Sequence, residues 1–195
     1  MRLDSLFPSV VGVEEHKNWA DALLPVVKDH FESDTQQTND SFYYNGRTTH
    51  GTGIDIRNDP KYQGFGDFIV NKGHEFLDAQ GFEPYSVKFN PYFFLNYFKQ
   101  GSAHPRHVHS QCTISGIFYL QTPPGSASIR FLPNQPFRDF YDYFFHVKDK
   151  NSWYAQSHFD YPPYPGLLLM WPAWLYHEVP PNNSVDPRIS IVFNL

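Results

Sequence analysis

Three histidines are the residues best suited to do chemistry: His107, His109 and His177. Side chains two residues apart share one face of an extended strand, so His107 and His109 can converge on one ion while Val108 points into packing. His177 follows 68 residues after His109, inside a second apolar run. A lone histidine pair is weak evidence in a chain with 10 histidines, but this ordered set of three predicts a metal site.

A candidate anion site follows the third histidine. Arg188 lies eleven residues beyond His177, in a run where Ser190 shares its face while Ile189 and Ile191 face the other way. A guanidinium holds a carboxylate through two parallel hydrogen bonds, and a hydroxyl can add another. Two predicted strands therefore offer a metal site and an anion site.

These segments resemble a known family. They read HVHSQCTISGIFYL from residue 107, MWPAWLYHEV from residue 170 and RISIVFN from residue 188. The pattern is similar to that of the Fe(II)/2-oxoglutarate-dependent dioxygenases, most closely to compact oxygenases of bacteria and phages. The likeness covers residues 90–195 and a Phe-Pro pair near the start.

The resemblance implies an activity and a set of ligands. Fe(II) would bind His107, His109 and His177, and Arg188 would pair with the distal carboxylate of the cosubstrate 2-oxoglutarate, helped by Ser190. A preceding segment, NYFKQG from Asn96, is similar to an NxYxxG strand whose Asn and Tyr contact 2-oxoglutarate, although Phe98 replaces that Tyr here. The expected reaction is hydroxylation of a small-molecule or peptidyl substrate with release of succinate and CO2.

One ligand departs from the family pattern. The superfamily usually has a carboxylate where this chain has His109, so the sequence offers three neutral imidazoles. Three-histidine iron sites occur in cupin-type thiol dioxygenases, and three histidines with a water also describe a catalytic zinc site. Two alternatives therefore stay open: a cupin-type three-His zinc or iron enzyme that does not use 2-oxoglutarate, and a non-catalytic jelly-roll binding module.

Two neighbours of the predicted ligands are expected to lie outside the site. His104 is three residues before His107, so on a regular strand it faces away. Glu178 follows His177 directly and has the opposite strand parity, which predicts a position behind the ligands or toward solvent.

Apolar periodicity predicts a mainly β fold. Residues 19–30 and 65–76 have the three-four spacing of amphipathic helices, and the spacing changes to alternation near Pro84. Strands are predicted at 85–89, 92–99, 114–121, 126–132, 166–171, 175–179 and 188–194. With the family resemblance, this indicates one domain over 1–195: helical support in 1–83, with two helices packed on one sheet, and a double-stranded β-helix (jelly-roll) core in 84–195.

The segment 133–165 is too long and too rich in aromatic residues for an ordinary connection between strands. They are expected to form a lid over a substrate pocket, a satellite cluster or the contact of a homodimer. The formal net charge of -5 argues against a nucleic-acid partner. The sequence contains no long apolar segment that would predict a membrane span or a leader. The presence of a single cysteine favours a cytoplasmic location.

Overall fold

Two antiparallel sheets face each other in the computed structural model, which describes residues 2, 8–33, 46–133, 145–149, 152 and 155–195. The larger sheet has six strands in the order β1-β8-β5-β10-β3-β2, and the smaller has four in the order β4-β9-β6-β7. The strands are β1 (Gly12–Glu15), β2 (Arg47–Thr48), β3 (Tyr92–Phe98), β4 (His104–His107), β5 (Ile114–Gln121), β6 (Ile129–Phe131), β7 (Phe159–Tyr161), β8 (Leu167–Pro172), β9 (His177–Val179) and β10 (Arg188–Asn194).

Two helices cover the outer face of the larger sheet. They are α1 (Lys17–Ser33) and α2 (Phe65–Asp78), and the side chains they bury, Leu23 and Val27 from α1 and Ile69 from α2, form one core cluster with the sheet. Strand β10 contributes Ile189, Ile191 and Phe193 to that cluster, because alternate side chains of a strand share a face. None of the helices in the described residues is long and apolar enough to cross a bilayer.

The other face of β10 points between the sheets. Val192 belongs to a second core cluster with Ile117 of β5, and the smaller sheet supplies Ile129 and Val179. The second cluster therefore fills the interior of a jelly roll, and polar residues on the same strand faces are turned into that interior. The predicted fold class, mainly β with two helices on one sheet, is confirmed.

Several details differ from the predicted elements. The strand predicted at 85–89 is wrong: a short 3-10 helix spans Pro84–Ser86 there, with Pro at its start and Tyr85 80% exposed. Strands β1, β2 and β7 were not expected, and β1 and β2 are the two edges of the larger sheet. Of the aromatic segment 133–165, residues 134–144, 150, 151, 153 and 154 lie outside the described part.

Candidate functional site

The pairing of β4 with β9 brings two of the predicted ligands together. His107, the last residue of β4, is the cross-strand partner of His177, the first residue of β9. His109 lies two residues past the end of β4, where its backbone N–H donates to the carbonyl of Ala173 at 2.9 Å. One candidate ligand atom of each histidine can be chosen so that all three lie within 4.8 Å of one another. The structure therefore gathers the three histidines, although His109 reaches the cluster from a loop rather than from the strand.

Backbone carbonyls fix the ring state of His107 and His177. His107 Nδ1 is 2.7 Å from the carbonyl oxygen of Pro105, and His177 Nδ1 is 2.9 Å from that of Leu175. A carbonyl oxygen only accepts hydrogen bonds, so Nδ1 carries the proton in each ring and Nε2 keeps a free lone pair. Both rings are thus set up as Nε2 ligands.

The spacing of the nitrogens suits a single ion. His109 Nε2 and His177 Nε2 are 3.3 Å apart. Imidazole nitrogens bind a divalent metal at about 2.1 Å, and two such ligands separated by an angle of roughly 100° are about 3.2 Å apart. The observed separation therefore fits two ligands of one metal.

Burial keeps these imidazoles neutral, as metal ligands must be. Desolvation, followed by the charge of His107, lowers the pKa of His109 to about 4. Desolvation also holds the pKa of His177 well below its ordinary value, and it lowers the pKa of His107 although the bond to Pro105 opposes that shift.

In the described part of the chain, no carboxylate joins the three histidines. Glu178 points away from the cluster, with Oε1 3.6 Å from Arg130 Nη1, and Arg130 also binds Asp160 through two hydrogen bonds of 2.8 and 2.9 Å. The predicted position of Glu178 outside the ligand set is confirmed.

His104 is inside the site, and the expectation that it faces away is wrong. The register shifts between His104 and His107, so the regular alternation on which that expectation rested is broken. The two rings lie 3.9 Å apart at 33°, and His104 lines the same pocket as the three histidines. Pro105 was an available signal, since proline cannot donate to a strand ladder and is often found at bulges.

Arg188 lies in the same pocket and is 1% exposed. Its Nη2 donates to the hydroxyl of Tyr119 at 3.1 Å, and its guanidinium carbon lies 4.8 Å from the ring centre of Tyr119 and 5.3 Å from that of Phe98. Within the described residues no carboxylate pairs with it, and its Nε is buried with no hydrogen-bond partner. Burying a cation without an anion is costly, so this arrangement favours an anionic ligand.

Asn96, Ser190 and Tyr119 form a polar row across three adjacent strands. Ser190 of β10 is the cross-strand partner of Asn96 on β3 and of Tyr119 on β5. Asn96 Oδ1 and Ser190 Oγ are buried and have no partner among the described residues. Sequence reasoning missed Tyr119, although a phenol inside an apolar strand signals a hydroxyl that needs a partner.

The pocket is narrow. Its free volume is ≈ 30 Å³, about the share of one water molecule in the liquid, so a larger ligand must move side chains as it enters. A second cavity of ≈ 1290 Å³ is lined by Phe76, Trp174 and Tyr176 among others, and of the described residues His109 alone lines both.

Comparison with known families agrees with this geometry. A sequence profile of the family described as "Putative 2OG-Fe(II) oxygenase" matches residues 93–194, just over half of the chain. The chain belongs to this family. A comparison of the oxygenase with curated proteins finds no match.

Solved structures with similar folds include two prolyl hydroxylases. A prolyl-4-hydroxylase of Pseudomonas putida has a TM-score of 0.62 and 14% identity, over 95% of the oxygenase and 91% of that chain. A Trichoplax adhaerens prolyl hydroxylase, in complex with a hypoxia inducible factor oxygen degradation domain peptide fragment, has a TM-score of 0.64 and 10% identity, over 94% and 82%. A 2OG-Fe(II) oxygenase family oxidoreductase of Burkholderia pseudomallei has a TM-score of 0.57 and 9% identity, over 94% and 84%. At these identities the likeness establishes the fold.

Membership makes the oxygenase a 2-oxoglutarate-dependent enzyme that uses Fe(II). The residues present fit both groups. Imidazole is a suitable iron ligand, and the converging histidines supply three of them. Arg188 is buried and has no carboxylate partner among the described residues, so its guanidinium suits one carboxylate of a dicarboxylic cosubstrate.

Proposed function

We propose that the oxygenase is a hydroxylase whose metal is held by His107, His109 and His177. In this proposal Arg188 binds the distal carboxylate of 2-oxoglutarate, with Ser190 and Asn96 beside it. The prime substrate is a small molecule or a peptide, and the products are the hydroxylated substrate, succinate and CO2.

The observation that carries the proposal is the presence of two complementary sites in one pocket. Three imidazoles with ligand atoms within 4.8 Å lie at one place, and a buried arginine without a carboxylate partner lines the same pocket. A metal-free binding module would gain nothing from a buried guanidinium that has no carboxylate partner among the described residues, and a zinc enzyme acting without 2-oxoglutarate would leave Arg188 without a role.

Charge balance supports a dianionic cosubstrate. A divalent metal and Arg188 together bring three positive charges into a pocket whose described lining contains no Asp or Glu. Buried charges are stable only when they are paired, and 2-oxoglutarate supplies two negative charges at opposite ends of one molecule.

Each protein group has a defined task in this reaction. When bound, Fe(II) and 2-oxoglutarate would supply the chemistry that activates dioxygen: one of its oxygen atoms would enter a C–H bond of the substrate and the other the new carboxylate of succinate, with release of CO2. The carbonyls of Pro105 and Leu175 hold the protons of His107 and His177 on Nδ1, so both Nε2 atoms stay available. Arg188, positioned by the Tyr119 hydroxyl, fixes the far end of the cosubstrate. The apolar walls, which include Ile117 and Val192, keep bulk water out of the pocket.

A peptide is one of the two proposed substrate classes because a similar fold binds one. The Trichoplax adhaerens prolyl hydroxylase is in complex with a peptide fragment, and its fold covers 94% of the oxygenase. Prolyl peptides are therefore the first substrates to test, followed by free amino acids and other small molecules.

The test is succinate release by protein reconstituted with Fe(II) under air. Succinate should form only with both Fe(II) and 2-oxoglutarate, slowly without a substrate and faster with one, and the product should gain one oxygen atom in mass. His177→Ala should abolish release, whereas His158→Ala, outside the pocket, should not. Failure of the reconstituted protein to bind 2-oxoglutarate would reject the proposal, and turnover supported by Zn(II) alone would favour the zinc alternative.

A further inference from the structure

Trp171 carries a buried hydrogen-bond donor inside the pocket. The side chain is 1% exposed, it lines the pocket of the three histidines, and its Nε1 has no partner within the described residues. A buried donor left unpaired costs about 1–3 kcal/mol, so its retention points to a partner that arrives with a ligand.

The position of Trp171 identifies the end of the pocket it serves. Its ring lies 4.9 Å from that of His177 in an edge-to-face contact, and 5.1 Å from that of Phe131. Two residues of β5 mark the two positions. Trp171 of β8 pairs with Ser115, and Ser190 of β10 pairs with Tyr119, which lies four residues further along β5. Four residues of strand span about 13 Å, so the backbone of Trp171 lies well away from that of Tyr119, the residue that binds Arg188.

The ligand at this end must bring an acceptor. An indole N–H can only donate, and among the described residues no acceptor of the protein is in hydrogen-bonding contact with it. A carboxylate oxygen bound to a metal keeps lone pairs that need donors once they are buried.

We propose that the indole N–H of Trp171 donates a hydrogen bond to a carboxylate oxygen at the metal-chelating end of the bound keto acid. This inference rests on the proposed function, since it assumes that 2-oxoglutarate binds with its other carboxylate at Arg188. Trp171 is then a binding residue that complements Arg188: one donor for each end of the cosubstrate.

The experiment measures ligand binding by calorimetry on Zn(II)-loaded protein, which does not turn over. The two ligands are 2-oxoglutarate, which has both ends, and oxalate, which chelates a metal but lacks the distal chain. Trp171→Phe should weaken both by about tenfold, which corresponds to ~1.4 kcal/mol. Arg188→Lys should weaken 2-oxoglutarate alone, and Trp174→Phe, at a side chain 49% exposed, should change neither affinity.

Three results would overturn the inference. Equal affinities of Trp171→Phe and the parent protein for both ligands would remove the hydrogen bond. Loss for 2-oxoglutarate alone would place the donor at the distal end. Loss of Zn(II) affinity in Trp171→Phe would make the ring a support of His177 instead. If the parent protein itself does not bind 2-oxoglutarate, the proposed function fails, which is a different result from these three.

A measurement on the unmodified sequence covers the case in which Trp171→Phe does not fold. The indole N–H resonance of Trp171, identified through its proximity to His177 and Phe131, should move downfield when either 2-oxoglutarate or oxalate binds the Zn(II)-loaded protein. A resonance that responds to neither ligand would overturn the proposal.

Discussion

His107 and His177 are cross-strand partners, and their rings lie 4.2 Å apart although the residues are 70 positions apart in sequence. The Nδ1–H of each ring donates a hydrogen bond to a carbonyl two residues earlier in the chain, Pro105 for His107 and Leu175 for His177. The smaller sheet thus fixes both the distance between two candidate ligands and the nitrogen each presents. His109 completes the set from a loop held by Ala173.

Removing His109, the candidate ligand in the loop, should weaken metal binding. We expect His109→Ala to lower Fe(II) or Zn(II) affinity by more than about 100-fold. Loss of a residue that only hydrogen-bonds to a metal ligand already lowers metal affinity by about 10–100-fold, and loss of a ligand itself should have a larger effect. Metal titration monitored by a competing chelator measures this, with His158→Ala as the matched control. Unchanged affinity in His109→Ala would remove this residue from the metal site.

The guanidinium of Arg188 should matter for its shape as well as its charge. Lysine cannot form two parallel bonds to a carboxylate, so Arg188→Lys should raise the apparent Michaelis constant for 2-oxoglutarate by about tenfold or more. Arg130→Lys changes the same residue type outside the pocket, where Arg130 binds Asp160, and should leave that constant unchanged. The assignment of Arg188 fails if an active Arg188→Lys enzyme keeps the parent constant.

Tyr119 should act through Arg188. Its hydroxyl accepts from Arg188 Nη2 at 3.1 Å, and both groups are buried. Tyr119→Phe leaves a charged donor unpaired and should weaken 2-oxoglutarate binding by about tenfold to a hundredfold, in line with a bond to a charged group. Combined with Arg188→Lys, the losses should be less than additive, and fully additive losses would show that the two side chains act independently.

The packing of β5 requires a glycine at position 116. A Cβ on Gly116 would meet the ring of Phe193 and lie 2.7 Å from the carbonyl oxygen of Leu169. We expect Gly116→Ala to destabilise the fold by about 1–3 kcal/mol, because overpacking a filled core forces neighbours to shift. Urea unfolding measures the loss, and a midpoint equal to that of the parent would contradict this packing.

Periodicity and spacing predicted the parts of the structure that regular strands position. Ser190 and Arg188 share a face, and β10 matches the predicted run 188–194 end to end. The errors fall where regularity breaks. A bulge turns His104 inward, and Pro84 starts a 3-10 helix where alternation predicted a strand. The contact of Tyr119 with Arg188 depends on strand order, since β5 and β10 are adjacent only in the folded sheet.

The metal-free protein should lose stability in mild acid. Burial, together with the charge of His107, lowers the pKa of His104 to about 3 and that of His109 to about 4, against an ordinary value of 6.5. Below pH 6.5 these histidines therefore bind protons in the unfolded chain but not in the folded chain. The free energy of unfolding then decreases as the pH is lowered, until these folded-state pKa values are reached. Because the carboxylates titrate mainly below pH 4.5, the window from pH 6.5 to 4.5 reports chiefly on histidines.

Thermal unfolding measured across this window should show a midpoint temperature that decreases as the pH is lowered, and His104→Gln should make that decrease smaller. A midpoint that is constant between pH 6.5 and 4.5 would mean that these imidazoles are not held neutral by the fold.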